Sequence, residues 1–317
     1  MQPIQIIDWG FDIFMIEGYD LGMAGRTGIY VIEAEELTLV ETGPSPSVPY
    51  ILEGLKERGY APEDVKNVIV THIHLDHAGG AGLLCQSCPD ARVVVHPRGA
   101  RHLADPSRLI EGAKMVYGDQ FASLFDPVLP IDPARILIRE DGDTLDIGKG
   151  HLLQFINSPG HAAHHFSIFD PVSKGIFTGD TAGIYYQQTE EYGFQFCLPS
   201  TSPNQFDPDA MRNSIARFET IGPERLFFGH FGMMDNPAEA YRQVLDGLDR
   251  FIDTASKAFK EGEGAKGVEE RLKNHYHSYL LAQGIPQKHG LFTILNLDLE
   301  VSAMGIEHYW NKNDESK

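Results

Sequence analysis

Four side chains able to bind a metal ion lie within six positions of one short segment: His72, His74, Asp76 and His77. His72 and His74 are two residues apart, so on extended backbone their side chains point to the same side. Asp76 and His77 follow at once and could bind a second ion nearby. Because the cluster offers imidazole and carboxylate groups but no thiolate, it suits zinc, iron or manganese. An isolated histidine pair is more often structural, but four candidate ligands so close together favour a metal site.

Three further candidate ligands lie later in the chain, and each comes directly after a glycine: His161, Asp180 and His230. Each follows an apolar segment typical of a β-strand, as His72 does, and strand ends are where open α/β sheets place their chemistry. A glycine before the ligand allows close approach of the backbone. If the strands are neighbours, all seven side chains should converge on one cleft. That number suits two metal ions that share a carboxylate.

The elements that must position these ligands alternate between strand and helix patterns up to about residue 236. Residues 65–70 are rich in β-branched side chains and predict a buried strand that leads into the metal-binding cluster. Residues 48–59 have the apolar spacing of a helix. Short strands are expected at 136–138 and 145–147, around an Asp-Gly turn. Residues 98–130 are expected to be helical and irregular, because three prolines interrupt them.

From Pro237 onward, apolar positions recur at helical spacing. Similar patterns cover 268–282 and 291–312. We therefore predict a catalytic domain over residues 1–236 and a C-terminal helical extension over residues 237–317. The apolar stripes of the extension need a surface to cover, so we expect it to pack on the catalytic domain.

The composition is that of an ordinary globular protein, with 42% hydrophobic and 22% charged residues. The formal net charge of −19 disfavours a nucleic acid or an anionic membrane as the main partner. No apolar run is long enough to span a bilayer, and the N-terminus lacks the basic-then-apolar pattern of an export signal. We expect a cytoplasmic protein whose partner is a small-molecule substrate, and assembly as a homodimer stays open.

Three cysteines, Cys85, Cys88 and Cys197, cannot form a disulfide framework. Cys85 and Cys88 form a CxxC motif, but a zinc knuckle needs a second such pair, which the sequence lacks. A redox role for this pair stays open, although two unpaired thiols near a helix end are the more frequent arrangement.

The order and spacing of the metal-binding motifs resemble those of the metallo-β-lactamase superfamily. The resemblance rests on an HxHxDH motif at residues 72–77, a histidine after Pro-Gly at His161, an aspartate that ends a strand at Asp180, and a final Gly-His at His230. It implies an α/β fold, a four-layer αββα metallo-β-lactamase sandwich with the metal site at one edge. The helical extension would follow that sandwich.

The resemblance also implies a role for each ligand. Two sets of three ligands with one bridging carboxylate are expected: His72, His74 and His161 for one ion, Asp76, His77 and His230 for the other, and Asp180 between them. We expect two divalent metal ions, zinc in the first place, with iron or manganese as the alternatives. The family commonly has aspartate where this chain has Glu41. That residue usually supports a ligand, so the change affects fine geometry more than metal binding.

Within the superfamily, the chain looks most like the glyoxalase II and quorum-quenching lactonase branches. That resemblance implies a dinuclear metal-dependent hydrolase of an ester-like bond, in a lactone or a thioester, with a hydroxide held between the two metal ions. Asp76 could pass the proton to the leaving group. In the lactonases a tyrosine after the bridging aspartate assists the reaction, which makes Tyr185 and Tyr186 candidates.

Two other branches of the superfamily are alternatives for the function, and one alternative concerns the choice of ligands. The mononuclear-iron persulfide dioxygenases, which are oxidoreductases, share much of the motif. The flavodiiron branch is disfavoured, because it has glutamate where His74 stands and adds a flavin domain. His164 or His165 could join His161 as a second ligand on one helical turn. The strand-like segment that follows favours His161 alone.

Six large, mostly apolar side chains follow Asp180: Ile184, Tyr185, Tyr186, Tyr192, Phe194 and Phe196. By the usual burial preferences they could be core residues. They could equally line a pocket for an uncharged or acyl-chain substrate. The sequence leaves both interpretations open.

Overall fold

The computed structural model describes residues 2–314, and the elements given below belong to these residues. The chain divides into two compact units. The first comprises Met1–Asn157, His164–Gly179 and Pro223–Asp235, and the second comprises Ser158–Ala163, Asp180–Gly222 and Asn236–Lys317. The predicted domains, 1–236 and 237–317, include residue 1 and residues 315–317, which lie outside the described residues. That domain division stays a prediction.

The first sheet of the first unit has its strands in sequence order: β1 (Ile6–Gly10), β2 (Ile13–Glu17), β3 (Gly28–Ile32), β4 (Leu37–Val40), β5 (Val65–Ile69), β6 (Arg92–Val95) and β7 (Ile136–Ile138). Neighbours are antiparallel from β1 to β4 and parallel from β4 to β7. β5 therefore lies between two parallel strands, and its mostly buried residues fit a strand covered on both faces. Its carboxyl end leads into His72, as the sequence predicts.

The second sheet of the first unit contains β8 (Thr144–Asp146), β9 (Leu152–Asn157), β10 (Phe166–Asp170), β11 (Gly175–Gly179), β14 (Arg225–Phe228) and β15 (Met233–Met234). The numbers 12 and 13 are used for two strands of the second unit. Their spatial order is β15-β14-β11-β10-β9-β8. β10 is antiparallel to both β9 and β11, and β14 is parallel to β11. As a result, β9, β11 and β14 run in the same direction, and their carboxyl ends meet at one edge of this sheet.

The helices of the first unit are α1 (Val48–Glu57), α2 (Leu75–Ala78), α3 (Ala81–Ser87), α4 (Pro97–Ala104), α5 (Ser107–Tyr117) and α6 (Phe121–Phe125). Successive residues of β2 face opposite sides of the first sheet. Phe14 packs in a core with Ile51 of α1, while Met15 packs in a core with Phe177 of the second sheet. The first unit is therefore a sandwich of two sheets, with helices on the outer face of the first sheet.

The second unit contains the short strands β12 (Ile184–Tyr185) and β13 (Cys197–Leu198) and the helices α7 (Pro208–Ile221), α8 (Pro237–Lys260), α9 (Gly264–Ala282) and α10 (Leu291–Asp314). The predicted helical patterns after Pro237 are confirmed. Pro237 begins α8, where the Asn236 side chain accepts a hydrogen bond from the Glu239 N–H group. α9 packs against both α8 and α10.

The predicted strands at 136–138 and 145–147 exist, but they do not pair with each other. β7 pairs with β6 in the first sheet, and β8 pairs with β9 in the second. The Asp-Gly turn between them therefore connects two sheets. Local turn chemistry is the same in both cases, so the sequence could not distinguish a hairpin from a connection between sheets.

Candidate metal centre

The strand ends that precede the candidate ligands are close together in the first unit. β9, β11 and β14 end at one edge of the second sheet. The end of β5 reaches the same edge, because the Phe166 N–H group at the start of β10 donates a hydrogen bond to the Thr71 carbonyl oxygen at 3.0 Å. The expected convergence of the four strand ends is therefore present.

The segment after β5 gathers its histidines into one cluster. The ring centroids of His72 and His74 are 4.6 Å apart, and those of His72 and His77 are 4.1 Å apart. His72 and His77 are completely buried, whereas His74 is partly exposed. The single turn of α2 begins after His74 and turns Asp76 and His77 away from the extended backbone that carries His72.

Three of the predicted ligands form a compact group in the first unit: donor atoms of Asp76, His77 and His230 all lie within 4.8 Å of one another. The Asp76 Oδ2 atom is 3.7 Å from the His77 Nε2 atom and 3.5 Å from the His230 Nε2 atom. Two imidazoles and one carboxylate, with no thiolate, form a donor set that fits a divalent transition metal ion.

Glu41 contacts His77 directly and His72 through the Thr71 hydroxyl. Its Oε1 atom accepts a hydrogen bond from the Thr71 hydroxyl at 2.5 Å and lies 3.4 Å from the His77 Nδ1 atom. Glu41 is buried and has a positive φ of 72°, a conformation that costs energy in a non-glycine residue. Glutamate thus occupies the supporting position that the resemblance assigns to aspartate.

The hydrogen bonds of two histidines in the first unit determine which ring nitrogen faces the cluster. The single proton of the Thr71 hydroxyl goes to Glu41, so the hydroxyl oxygen, 3.0 Å from the His72 Nδ1 atom, accepts the Nδ1–H group. The His230 Nδ1 atom lies 3.1 Å from the Arg26 carbonyl oxygen, which can only accept. Both rings therefore carry the proton on Nδ1 and present the lone pair of Nε2, the arrangement that a metal ligand requires.

The second unit contains the other two predicted ligands. The His161 Nε2 atom is 3.5 Å from the Asp180 Oδ2 atom, and both side chains are buried. The His161 Nδ1 atom lies 3.3 Å from the Ser200 carbonyl oxygen, which again leaves the lone pair on Nε2. The Ser200 hydroxyl donates a hydrogen bond to the Asp180 Oδ2 atom at 3.0 Å. Ser200, which the sequence did not single out, therefore contacts both of these candidate ligands.

The glycines before Asp180 and His161 are required by space as well as by conformation. Gly179 has a φ of +50°, and a Cβ atom there would lie 2.4 Å from the His165 Nε2 atom. Gly160 has a φ of +138°, and a Cβ atom there would lie 2.4 Å from the Met211 Cα atom. Real Cβ atoms essentially never approach another heavy atom to less than 3.0 Å, so the predicted close approach is confirmed at these two positions.

His164 and His165 are not part of a helical turn with His161, because the segment before β10 is irregular. The His165 ring stacks on the His72 ring with centroids 5.0 Å apart, and the His164 ring meets the His74 ring edge-on at 5.4 Å. Both are buried beside the cluster in the first unit. The sequence pattern favoured neither as a ligand, and both contact the candidate ligands His72 and His74.

The candidate tyrosines of the second unit are engaged with carboxylates. The Tyr185 hydroxyl donates to the Glu190 Oε1 atom at 2.5 Å, and the Tyr186 hydroxyl donates to the Asp298 Oδ2 atom at 2.6 Å. Burial and the Glu190 carboxylate raise the pKa of Tyr185 above its usual value. The catalytic role of both tyrosines stays a prediction.

The aromatic segment that contains these tyrosines belongs largely to the core of the second unit. Ile184, Tyr185, Tyr186 and Phe196 are buried. The Phe196 ring packs against Tyr276, with centroids 5.8 Å apart. Of the two interpretations that the sequence left open, packing explains these four side chains.

The three cysteines, which all lie in the described part of the chain, form no disulfide there, and all are buried. Burial raises the pKa of Cys88 to about 12 and also raises that of Cys85. Burial therefore disfavours the thiolate form of both cysteines. The Arg135 guanidinium donates hydrogen bonds to the carbonyl oxygens of Cys85 and Cys88, so this turn is held by its backbone.

Sequence motifs gave no indication of the ion pair between Asp20 and Arg26. The Arg26 Nε atom is 2.8 Å from the Asp20 Oδ2 atom, and both side chains are buried in the first unit. Arg26 is also the residue whose carbonyl oxygen accepts the hydrogen bond from His230. No spacing or periodicity in the sequence marks this pair, and the contact of Arg26 with the candidate ligand His230 is made by a backbone atom.

A two-sheet α/β sandwich with candidate histidine and aspartate ligands after its strand ends is typical of metal-binding proteins of the metallo-β-lactamase type. The sequence profile of the metallo-beta-lactamase superfamily matches residues 24–230. The chain belongs to this superfamily. The predicted fold class is confirmed: a mixed α/β metallo-β-lactamase fold with a C-terminal helical region.

Relatives come from more than one branch. The metallo-beta-lactamase fold-containing protein ST1585 of Sulfurisphaera tokodaii is 28% identical over 210 residues, which cover 65% of this chain and 73% of that protein. Diflavin flavoprotein A 1 of Synechocystis is 26% identical over 247 residues, which cover 76% of this chain but only 38% of that protein. This chain thus spans well under half of that flavoprotein.

Among solved structures, the metallo-beta-lactamase family protein TTHA1429 from Thermus thermophilus has a TM-score of 0.66. The match covers 96% of this chain and 94% of that one, at 18% sequence identity. At that identity the likeness shows the fold alone. Membership of the superfamily indicates metal-dependent activity of the hydrolase type, and the histidine and aspartate groups are candidate sites for divalent metal ions. No helix in the described part of the chain combines the length and apolar character needed to cross a membrane.

Proposed function

We propose that this protein is a dinuclear metal-dependent hydrolase that cleaves an ester-like bond in a lactone or a thioester. In this proposal His72, His74 and His161 bind one divalent metal ion, zinc in the first place. The other ion is bound by Asp76, His77 and His230, and Asp180 binds both. The proposal assigns the chain to the glyoxalase II and lactonase branches of its superfamily.

The observation that carries the proposal is the orientation of the imidazoles. His72, His161 and His230 each direct Nδ1 at an oxygen atom that supports the ring, so each is held with Nε2 as the donor atom. Structural histidines have no need for one common tautomer. Metal ligands do, because the proton must be on the nitrogen that does not bind the ion.

Bound divalent ions would supply two effects, a water pKa lowered to about 7 and a polarised carbonyl oxygen. The residues of the chain provide the proton transfer. The Asp76 side chain is 23% exposed, against 5% for that of His230, so it is the more open of these two ligands. In the reaction that we propose, water attacks the carbonyl carbon and the Asp76 carboxylate takes up the proton. The bond to the leaving group then breaks, and the proton passes from Asp76 to the departing alkoxide or thiolate.

For Tyr185 and Tyr186 we propose only an assisting role in the reaction. Each hydroxyl would have to leave a carboxylate partner to reach a substrate. Replacing Tyr185 with phenylalanine tests this point. A loss of kcat of about 10²-fold or more would assign the hydroxyl to the reaction. An unchanged kcat would leave Tyr185 with its contact to Glu190 alone.

The test of the proposed function is a substrate panel of lactones, thioesters and phosphodiesters with two matched histidine variants. His74→Ala removes a proposed ligand, and His102→Ala removes a histidine of α4 whose Nε2 atom accepts a hydrogen bond from its exposed neighbour Arg101. We expect hydrolysis of lactones or thioesters to fall by at least about 10²-fold in His74→Ala and to be unchanged in His102→Ala. Higher activity on phosphodiesters than on esters, or full activity of His74→Ala, would contradict the proposal.

An oxidoreductase is the second candidate, and the observation that favours it is the similarity to proteins named diflavin flavoproteins. The flavodiiron branch has glutamate at the position of His74, and this histidine counts against that interpretation. A mononuclear-iron dioxygenase would keep the histidine. Iron as the metal of the purified protein, with oxygen consumed during turnover, would establish this alternative. Hydrolysis that proceeds equally well without oxygen would exclude it.

A further inference from the structure

The connection between β2 and β3 is bent through an unusual backbone. Tyr19, Leu21 and Gly22 have φ angles of 50°, 54° and 72°. A left-handed conformation is unfavourable for tyrosine and leucine, because the Cβ atom approaches the following carbonyl oxygen. Such residues persist only where the surroundings fix them, and they concentrate at functional sites.

The carboxylate of Glu17 fixes this connection at both ends. Its Oε1 atom accepts a hydrogen bond from the Tyr19 N–H group at 2.9 Å, and its Oε2 atom accepts one from the Gly25 N–H group at 2.7 Å. The Tyr19 hydroxyl also donates to the Pro3 carbonyl oxygen at 2.7 Å. These hydrogen bonds of Glu17 and Tyr19 therefore stabilise the bent conformation of the connection.

A buried ion pair lies inside the bend. The Asp20 and Arg26 side chains are 0% and 8% exposed, and the Arg26 Nε atom is 2.8 Å from the Asp20 Oδ2 atom. Burial raises the pKa of Asp20, whereas the Arg26 guanidinium favours its ionised form. Removing charges from water is costly, so a buried pair is weak evidence for stability and stronger evidence for a defined conformation.

A backbone atom of Arg26 links the ion pair to the cluster, and the Asp20 carboxylate also interacts electrostatically with Asp76 and His230. The Arg26 carbonyl oxygen accepts the Nδ1–H group of His230 at 3.1 Å. That bond directs the His230 Nε2 atom toward the Asp76 Oδ2 atom, 3.5 Å away. If Arg26 shifts, the carbonyl oxygen shifts with it and His230 loses the contact that sets its tautomer.

We infer that the Asp20–Arg26 ion pair is the positioning element of His230, and that it prepares the group of Asp76, His77 and His230 to bind a metal ion. Neither side chain is a ligand in this account. The inference about metal affinity rests on the proposed function, whereas the inference about the tautomer of His230 does not.

The experiment compares the full chain with Asp20→Asn and with a matched control, Asp8→Asn. Asp8 also pairs with an arginine, Arg58 at 3.2 Å, but at the surface. Long-range proton–nitrogen correlation spectra of the metal-free proteins report the tautomer of His230, whose signals are assigned by their loss in His230→Ala. Cobalt(II) titration of the same proteins reports the metal-binding steps.

We expect His230 to carry its proton on Nδ1 in the wild type and in Asp8→Asn, and to populate the Nε2–H tautomer in Asp20→Asn. We also expect Asp20→Asn to weaken one cobalt-binding step by about 10- to 100-fold, the step that His230→Ala abolishes. A wild-type tautomer in Asp20→Asn, or equal weakening of both steps, would overturn the inference. If the wild type fails to bind two cobalt ions, the proposed function fails, and the tautomer alone decides the inference.

Two variants of Arg26 keep the inference testable if Asp20→Asn does not fold. Arg26→Lys keeps a charge that can pair with Asp20, and Arg26→Met keeps the chain length without the charge. We expect the lysine variant to preserve the tautomer of His230 and the methionine variant to lose it. Identical behaviour of the two would overturn the role of the ion pair.

Discussion

The hydroxyl of Thr71 is a small group on which the orientation of His72 depends. It donates to the Glu41 carboxylate at 2.5 Å and accepts from the His72 Nδ1 atom at 3.0 Å. Thr71→Val preserves the shape of this buried side chain and removes both bonds. We expect weaker metal binding and a less stable metal-free protein.

The magnitude follows from the two contacts. A hydrogen bond to a charged group contributes about 1.5–3 kcal/mol, so the free energy of unfolding of the metal-free protein should fall by about that amount. Loss of the contact that orients a ligand typically lowers metal affinity by about 10- to 100-fold, or about 1.4–2.8 kcal/mol. Both effects should be measurable in one variant, because Thr71 contacts the carboxylate and the ligand at once.

The assay combines urea unfolding of the metal-free protein with zinc titration against a competing chelator. Thr38→Val is the matched control, since Thr38 is buried and its hydroxyl donates to the neutral Glu36 carbonyl oxygen at 2.8 Å. The control should lose about 0.5–1.5 kcal/mol of stability and bind zinc as the wild type does. Wild-type zinc affinity in Thr71→Val would refute the view that this hydroxyl orients His72.

Three further predictions concern the supports of the site and the helical region. Burial raises the pKa of Glu17 from 4.5 to about 7. Between these pH values the folded state binds one proton more than the unfolded state, so the free energy of unfolding should fall as the pH rises through this range. The contribution, up to about 3 kcal/mol, should disappear in Glu17→Gln, which urea unfolding at a series of pH values will show. Gly179→Ala should lower the unfolding midpoint and the metal content together, since its Cβ atom would lie 2.4 Å from the His165 Nε2 atom; an unaltered thermal scan would contradict this. A chain that ends at Asn236 should be recovered as aggregate, because Phe196 would lose Tyr276 and Tyr279 as packing partners; a monodisperse, active truncation would disprove the dependence.

The candidate ligands could be selected from the sequence because each of them belongs to or follows a recognisable local pattern. An apolar strand that ends in glycine and then histidine or aspartate marks Asp180 and His230 without knowledge of the fold. His72 is marked by the other candidate ligands that follow it within a few residues. These patterns involve residues that are close together in the chain, so they can be recognised in a single sequence.

The supports of the ligands could not be predicted in the same way. Ser200 contacts His161, and Arg26 contacts His230, through a backbone carbonyl oxygen, which every residue has, so residue type carries no information about these two contacts. His230 and Arg26 are also separated by 204 residues along the chain. Only the three-dimensional arrangement reveals such contacts. The same reason explains why the Asp-Gly turn before β8 could not be assigned to a connection between sheets.

We propose that the seven predicted ligands bind two metal ions in each chain. Elemental analysis, combined with native mass spectrometry of protein supplied with zinc, tests it most directly. We predict two equivalents per chain in the wild type and fewer than two in Asp180→Ala, which loses the proposed bridge. A single equivalent that does not rise on zinc supplementation, or two equivalents retained in Asp180→Ala, would contradict the account.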